Sequence, residues 1–306
     1  MQDKIPSQDT INAVARMQIY IKEHLHEPIT LKQLSEKANY SPYHCAHIFK
    51  ELIGVPPFEY IRRLRLSKSA LKLRDTDGRV LDIALDFVFD SHEGFTRAFS
   101  REFGVTPKQY AKNPKPVGLF MPSDIRDYYR LINKTEETVM SNQSAAIFTQ
   151  VVERPKRKLL LKFAKTATDY FAYCDEVGCD VWGVLVSVKE ALYEPVGCWL
   201  PKNLRPAGMG EYAQGVEVPF DYSGEVPDGY DIVELPACKM MIFQGEPFED
   251  ENFGKAIGAM WEHIPKFNPK IYGYDWDEAI APRMQLEPQG WRGYIEMRPV
   301  MEANMK

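Results

Sequence analysis

"LKQLSEKANYSPYHCAHIFKELIGVPPFEY" (residues 31–60) and "LDIALDFVFDSHEGFTRAFSREFGVTPKQY" (residues 81–110) align without a gap at an offset of 50 residues. Internal repetition at a fixed spacing is typical of one structural unit used twice. The seven identical positions, numbered in the first copy, are Leu31, Ser41, Phe49, Gly54, Val55, Pro57 and Tyr60. We therefore expect both stretches to fold in the same way.

Each copy has the start and stop signals of a short helix, a tight turn and a second helix. Ser41 and Ser91 stand where a helix N-cap is expected, and Gly54 and Gly104 stand where the second helix should end. Pro42 occupies the first helical position, where a missing N–H costs nothing. Helix, turn and second helix make up the helix-turn-helix unit that places its second helix in the major groove of DNA.

The outward face of each second helix carries unusually mixed hydrogen-bonding side chains. The spacing turns Tyr43, Ala46, His47 and Lys50 outward in the first copy, and His92, Glu93, Thr96 and Arg97 in the second. Arginine suits guanine O6 and N7, and glutamate suits cytosine N4. Thr96 would meet a base or a phosphate, and His92 would bond a base or lie beside the backbone. The pattern predicts two base-reading helices.

A basic helical pattern at residues 57–75 joins the two copies. Its predicted inward positions are Phe58, Ile61, Leu64 and Leu71. Nineteen residues at about 1.5 Å each give roughly 28 Å, close to the roughly 34 Å between successive major-groove faces of B-DNA. The alternative is a helical bundle with a solvated basic face. DNA-backbone contacts are expected from Lys50, Arg62 and Arg101.

Composition separates the first part of the chain from the rest. Residues 1–113 hold 17 Lys and Arg against 14 Asp and Glu, or +3, whereas the whole 306-residue chain carries −5. No long apolar run or export signal occurs, so we expect a cytoplasmic protein without a membrane span. The five scattered cysteines predict reduced thiols, and no motif predicts a metal, a cofactor or a catalytic triad.

A second, weaker repeat follows a polar stretch at residues 114–144, which we interpret as a linker. "ERPKRKLLL" (153–161) and "ELPACKMMI" (234–242) match as Glu-x-Pro-x-x-Lys and three apolar residues, at an offset of 81. Helical patterns ending near Trp182 and Trp261 follow them. Residues 145–306 are therefore predicted to form an α+β domain of two pseudo-repeated halves.

Residues 12–112 resemble the DNA-binding domain of the AraC/XylS family of transcription regulators, above all in the segment 62–110. The resemblance implies an all-α double helix-turn-helix domain of seven helices, here residues 1–113. Gln and Arg stand in better-known members at Ala46 and His47, so their target sequence does not transfer. The family's base-reading positions map onto Tyr43, Ala46, His47, His92, Glu93, Thr96 and Arg97.

Residues 145–303 resemble the GyrI-like effector-binding domain in the order of their segments, the Glu-x-Pro signatures and a final strand, "GYIEMRPV" (293–300). That resemblance implies a cleft for a small, often lipophilic and cationic compound, with aromatic walls and an acid at its base. Glu296 is the candidate acid, with Glu287 as its rival. The candidate walls are Trp182, Trp199, Tyr212, Trp261, Tyr272 and Tyr274.

Together these features predict a ligand-responsive regulator that binds double-stranded promoter DNA and a small-molecule effector. RNA polymerase is an expected partner, and activation is expected rather than repression, on the resemblance alone. One alternative makes the GyrI-like domain a small-molecule hydrolase with Glu296 as general base, although no nucleophile–histidine pair is evident. Another makes it a protein-interaction module with a closed cleft.

Overall fold

The computed structural model describes residues 6–126, 146–249 and 252–303 of the chain. These residues divide into two compact units. One unit holds residues 6–114 with 119–126, and the other holds residues 115–118 with 146–303. No helix in the described ranges combines the length and the apolar character needed to cross a membrane.

The first unit is helical, as predicted. Its helices are α1 (Gln8–Glu23), α2 (Leu31–Ala38), α3 (Pro42–Ile53), α4 (Pro57–Asp75), α5 (Val80–Asp86), α6 (His92–Phe103) and α7 (Pro107–Lys112). Side-chain caps explain several of the starts: Ser7, Thr30 and Thr106 each accept a hydrogen bond from a backbone N–H in the first turn. The apolar sides of these helices bury a shared core that includes Ile11, Met17 and Leu66.

The predicted repeat is visible in the helices themselves. α3 and α6 each have 12 residues and begin 50 positions apart. Both are N-capped by the expected serine, and both end at a glycine with positive φ, 85° at Gly54 and 69° at Gly104. The helix-turn-helix prediction is confirmed for both copies. One inward position of α4 was wrong: Phe58 is 52% exposed, because Tyr60 and Ile61 fill the core beside this first turn.

Residues 119–126 belong to the helical unit, although the sequence assigned them to a linker. The Phe120 N–H donates to Ser67 Oγ at 2.7 Å, and the Ile125 N–H donates to Gln18 Oε1 at 2.9 Å. The Phe120 ring meets the Tyr60 ring edge-on, with centroids 5.2 Å apart. Burial of Leu119 and Ile125, two apolar residues in a mostly polar stretch, explains why this part packs.

Residues 115–118 belong instead to the second unit, where the Val117 N–H donates to Ser187 Oγ at 2.8 Å. The sequence "DIRDYYRLI" (124–132) also predicts a helical turn or two, most of which falls outside the described residues. The expected linker 114–144 thus contains, in its described part, one piece of each unit.

The second unit combines one sheet with three α-helices among its described residues. The helices are α8 (Tyr170–Val177), α9 (Val181–Ser187) and α10 (Phe253–His263). The strands are β1 (Ile147–Arg154), β2 (Arg157–Phe163), β3 (Val196–Trp199), β4 (Tyr212–Pro219), β5 (Asp231–Leu235), β6 (Cys238–Gly245), β7 (Tyr274–Trp276), β8 (Arg283–Leu286) and β9 (Ile295–Glu302). Short 3₁₀ helices lie at Lys202–Leu204, Ile264–Lys266 and Pro269–Tyr272.

The sheet is antiparallel throughout its recorded pairs and runs in the order β1-β6-β9-β8-β3-β4-β2-β5, with β7 also paired to β9. Strands β1 and β2 follow one another in the chain but lie far apart in this order. β1 pairs with β6, and β5 pairs with β2. The multidomain layout, a helical unit followed by a strand-rich one, matches the prediction.

All three α-helices of this unit contact the same face of the sheet. α8 and α9 pack on β2 and β4 through a cluster that includes Tyr173, Leu185 and Val216. α10 packs on β6 and β9 through a cluster that includes Met260, Phe243 and Val300. Directly paired residues share a face, so the recorded pairing of β4, β3, β8, β9 and β6 carries that face from one cluster to the other.

Candidate DNA-reading faces and a buried polar strip

Helix α3 keeps its apolar side inward and its predicted reading side in water. Cys45, Ile48 and Phe49 are buried. Tyr43 is 85% exposed, and His47 and Lys50 are also exposed, whereas Ala46 is half-buried. The imidazole Nε2 of His47 lies 3.7 Å from a carboxylate oxygen of Glu51 on the same helix. This contact is exposed on both sides and leaves the imidazole free to turn toward DNA.

Helix α6 has the same buried side as α3, and its outward side carries more charged side chains. Phe95, Phe99 and Phe103 are buried, and the Gly94 N–H donates to Ser91 Oγ at 3.1 Å. The outward residues His92, Glu93, Arg97 and Arg101 are all exposed. Thr96 differs, since the residue is half-buried and its hydroxyl, which is itself buried, has no hydrogen-bond partner among the described residues.

Arg62, one of the expected backbone contacts, is engaged within the protein. Its guanidinium lies 2.5 Å from Glu59, one turn earlier on α4, and 3.6 Å from Glu102 on α6. Arg63 Nε donates to the same Glu102 at 3.1 Å. The hydrogen bond from Arg62 lowers the pKa of Glu59. These contacts fasten α6 to α4, so Lys50 and Arg101 remain the more available candidates for phosphate.

A polar strip crosses the middle of the sheet on its helix-bearing face, between the cluster under α8 and α9 and the cluster under α10. Its residues lie on the four adjacent strands β4, β3, β8 and β9 or, for Tyr294, directly before β9, a width of about 14 Å at about 4.8 Å per strand. Tyr212 pairs with Trp199, and Trp199 pairs with Arg283. We define the polar strip as Trp199, Tyr212, Gln214, Arg283, Gln285, Tyr294, Glu296 and Arg298.

Glu296 is fully buried in the polar strip and contacts two arginines. Arg283 Nη2 donates to its Oε2 at 3.0 Å, and Arg298 Nε donates to its Oε1 at 3.0 Å. Arg283 Nε also lies 2.7 Å from Oε1. The Arg283 guanidinium stacks on the Trp199 ring, 4.1 Å from its centroid. The Trp199 ring and the buried Glu296 carboxylate are therefore both present, and a cation of the protein itself, the Arg283 guanidinium, lies between them.

Hydrogen-bonding groups line the rest of the polar strip. Tyr294 donates to Gln285 Oε1 at 2.9 Å, and Gln285 Nε2 lies 3.4 Å from the Tyr212 hydroxyl. Burial raises the pKa of both tyrosines, so both keep their protons at neutral pH. Gly197 leaves room for this contact, since a side chain there would collide with the Tyr212 hydroxyl. Gln214 is buried with no partner for Oε1 in the described ranges.

The predicted walls of the cleft divide into two groups. The structure brings Trp199 and Tyr212 together, with ring centroids 5.0 Å apart, whereas Trp261 is 50% exposed. Tyr272 is 58% exposed and stacks on Phe267 instead.

Tyr274 belongs to β7, beyond the polar strip, with Lys239 5.8 Å from its ring centroid. Trp182 is half-buried on α9. Of the two candidate acids, Glu296 is buried and Glu287 is exposed. All the site residues named from the sequence remain predictions.

Comparison with known proteins finds relatives for the first third of the chain. Residues 34–113 match the family model described as "Helix-turn-helix domain". The chain is 41% identical over 107 residues to the right origin-binding protein of Escherichia coli K12, a match that covers 35% of this chain and 37% of that protein. It is 31% identical over 97 residues to the HTH-type transcriptional activator AarP of Providencia stuartii, covering 32% of this chain and 72% of AarP.

One solved structure matches a larger share of the chain than these two relatives do. The structure of SAV2435 bound to tetraphenylphosphonium matches 50% of this chain and 94% of its own at 15% identity, with a TM-score of 0.35, too low to support an inference. The match to the origin-binding protein spans little more than a third of that relative. AarP, in contrast, is covered over most of its length by the paired helix-turn-helix region. On that region, the chain belongs to the family of helix-turn-helix transcription regulators that includes AarP.

Proposed function

We propose that this protein is a sequence-specific transcription regulator, an activator, that reads promoter DNA with α3 and α6. The observation that carries the proposal is the pair of exposed faces on two helices of one frame. α4 provides a rigid connection of 19 residues, about 28 Å, between the two copies. The +3 charge of residues 1–113, in a chain of −5 overall, favours binding of this unit to a polyanion.

Roles are assigned to the residues at the predicted outward positions of the two helices. Arg97 is proposed to contact guanine and Glu93 to contact cytosine, with Thr96 and His92 beside them. Tyr43, Ala46 and His47 would meet the other groove. Lys50 and Arg101 would hold phosphates, and Arg62 would do so only if it left Glu59.

The test is binding of the full-length protein to its own upstream DNA across a salt series, comparing wild type, Arg97→Ala and Lys22→Ala. Lys22 is an exposed cation on α1, outside both reading helices, and serves as the charge-matched control. We expect Arg97→Ala to lose about 1–3 kcal/mol of binding to the specific site, with little change on random DNA. Equal losses in the two variants, or no preference over random DNA, would sink the proposal.

We further propose that the second unit binds a small-molecule effector at the polar strip and is a GyrI-like domain of two pseudo-repeated halves. The sheet order supports this. Read inward from one edge of the sheet, the strands are β1, β6, β9 and β8, and read inward from the other edge they are β5, β2, β4 and β3. Strands at the same place in the two series correspond to each other. The sequence offset of 81 maps β2 (157–163) onto 238–244, within β6. The polar strip lies at the junction of these halves.

Regulation requires an effector that binds two states of the protein unequally, and we propose that this difference changes promoter binding or contact with RNA polymerase. Buried polar groups without partners, such as Gln214 Oε1, support a site that a ligand completes. The same DNA-binding measurement, repeated with an effector, would register the coupling as a change in affinity.

A further inference from the structure

We propose that the polar strip binds an organic anion, a carboxylate attached to an aromatic or otherwise apolar body. This inference rests on the proposed effector site and assigns a charge opposite to that of the cationic compounds implied by the family resemblance. It follows from the two arginines that surround Glu296.

The charges in the polar strip sum to +1. Arg283 and Arg298 each carry a guanidinium that stays protonated in proteins, and Glu296 contributes a single carboxylate. The surrounding sequence has the opposite sign, since residues 114–306 hold 21 Lys and Arg against 29 Asp and Glu. The polar strip is therefore a local reversal of charge within an acidic part of the chain.

Arginine side chains already occupy the position where a cationic ligand would be expected to bind. Glu296 has no exposed surface, and both of its oxygens are engaged by guanidinium nitrogens. The Trp199 face that would attract a cation is covered by Arg283 at 4.1 Å. A cation could reach the acid only by displacing an arginine, which would leave that arginine without its partner in a partly buried position.

An anion would find donors already positioned. The register of β8 and β9 pairs Met284 with Met297, and its continuation by one residue sets Arg283 opposite Arg298. Like charges directly across a strand pair repel. Glu296 offsets this repulsion only in part, so a second anion would offset the remainder. Within residues 146–249 and 252–303, no acceptor is recorded for Nη1 of Arg283 or for either terminal nitrogen of Arg298.

These donors are accessible and held in place. The side chains of Arg283 and Arg298 are 30% and 19% exposed, whereas Glu296 behind them is at 0%. Glu296 thus fixes both guanidinium planes, which reduces the ordering cost of binding a carboxylate. Trp199 lies against Arg283, and Trp276 lies 5.9 Å from Arg298, so aromatic surface flanks both donors. This surface favours a ligand with an apolar body.

The experiment is calorimetric titration of the full-length protein with three probes of one size: 2-naphthoate, 2-naphthylmethylammonium and the neutral 2-naphthamide. We expect 2-naphthoate to bind at least tenfold more tightly than either of the others. Arg283→Gln should weaken naphthoate binding at least tenfold. Glu296→Gln, which removes the competing charge and keeps an amide oxygen that accepts from the guanidinium groups, should strengthen it. Arg154→Gln is the matched control, since Arg154 stacks on Tyr193 outside the polar strip.

Tighter binding of the ammonium probe, an unchanged affinity in Arg283→Gln, or no binding of any probe would overturn the inference. If a variant fails to fold, as judged by circular dichroism, the comparison of probes on the wild-type protein decides alone. Promoter binding, measured in parallel, separates the two proposals. An ammonium probe that binds and alters promoter affinity would refute the anion and leave the ligand-responsive regulator standing.

Discussion

Helices α3 and α6 begin 50 residues apart and end 50 residues apart, yet they differ at almost every outward position. The positions that match in burial, Cys45 with Phe95 and Phe49 with Phe99, have no exposed surface in either copy. The outward positions pair Tyr43 with Glu93, and His47 with Arg97. Buried apolar positions therefore hold the frame in both copies, and the differing outward residues give each copy its own chemistry.

The largest expected difference between the copies is in their aromatic cores. Phe99 has three ring neighbours, Phe95, Phe103 and Tyr110, with centroids 4.7–5.7 Å away, whereas Phe49 has a recorded ring contact with Tyr60. Phe99→Ala should cost about 3–5 kcal/mol of unfolding free energy, and Phe49→Ala should fall at the low end of that range.

Urea unfolding of the full-length protein, followed by the helical signal at 222 nm, measures this difference. The larger loss is expected for Phe99→Ala because its cavity would be lined by more rings that cannot collapse together. A larger loss for Phe49→Ala would show that ring contacts do not govern the stability of the two copies.

A smaller effect is expected from giving the first copy the chemistry of the second. His47→Arg places a guanidinium at the position that corresponds to Arg97, on an equally exposed turn of α3. A new preference for guanine at one base pair of the first groove, worth about 1–3 kcal/mol, should appear. Sequencing of DNA selected from a random pool by each protein would detect it.

The control for this exchange is Lys50→Arg, which conserves charge at an exposed position one turn further along α3. It should change the salt dependence little and the selected sequence not at all, because phosphate contacts carry no base information. A guanine preference that also arises in Lys50→Arg would attribute the effect to general arginine binding rather than to the reading position.

The sequence was sufficient for the helical frame because its signals are local. Serine caps, terminal glycines and a 3.6-residue apolar period each act within one or two turns. Arg62 was harder to interpret: its Glu59 partner is three residues away and foreseeable, but Glu102 comes from another helix. Knowledge of the tertiary packing was needed to see that this cation is engaged.

The contacts within the polar strip were likewise only partly predictable from the sequence. Glu296 and Arg298 are two residues apart in a predicted strand, so their shared face follows from alternation alone. Arg283 reaches Glu296 through the register of β8 against β9, which no local pattern determines. The shared face of Glu296 and Arg298 was thus predictable, but the contact between Arg283 and Glu296 was not.

The smallest expected effect concerns the turns between the helices of each copy. The first turn places Asn39 at φ 59°, a left-handed conformation that Asn tolerates, whereas the second places Val88 at φ 60°. A β-branched residue there costs about 1–2 kcal/mol, so Asn39→Val should destabilise the protein by that amount. Val88→Asn should stabilise it by less, because the half-buried valine also loses apolar contact.

Thermal unfolding of the two single variants and the double exchange would separate backbone strain from packing. If strain dominates, the double exchange should be close to neutral, because a left-handed valine is moved from one copy to the other. A stability gain for Val88→Asn with no change in DNA affinity would mean that the strained turn is a remnant of divergence between the copies. A gain accompanied by weaker promoter binding would mean instead that Val88 sets the angle at which α6, and with it Arg97, meets the groove.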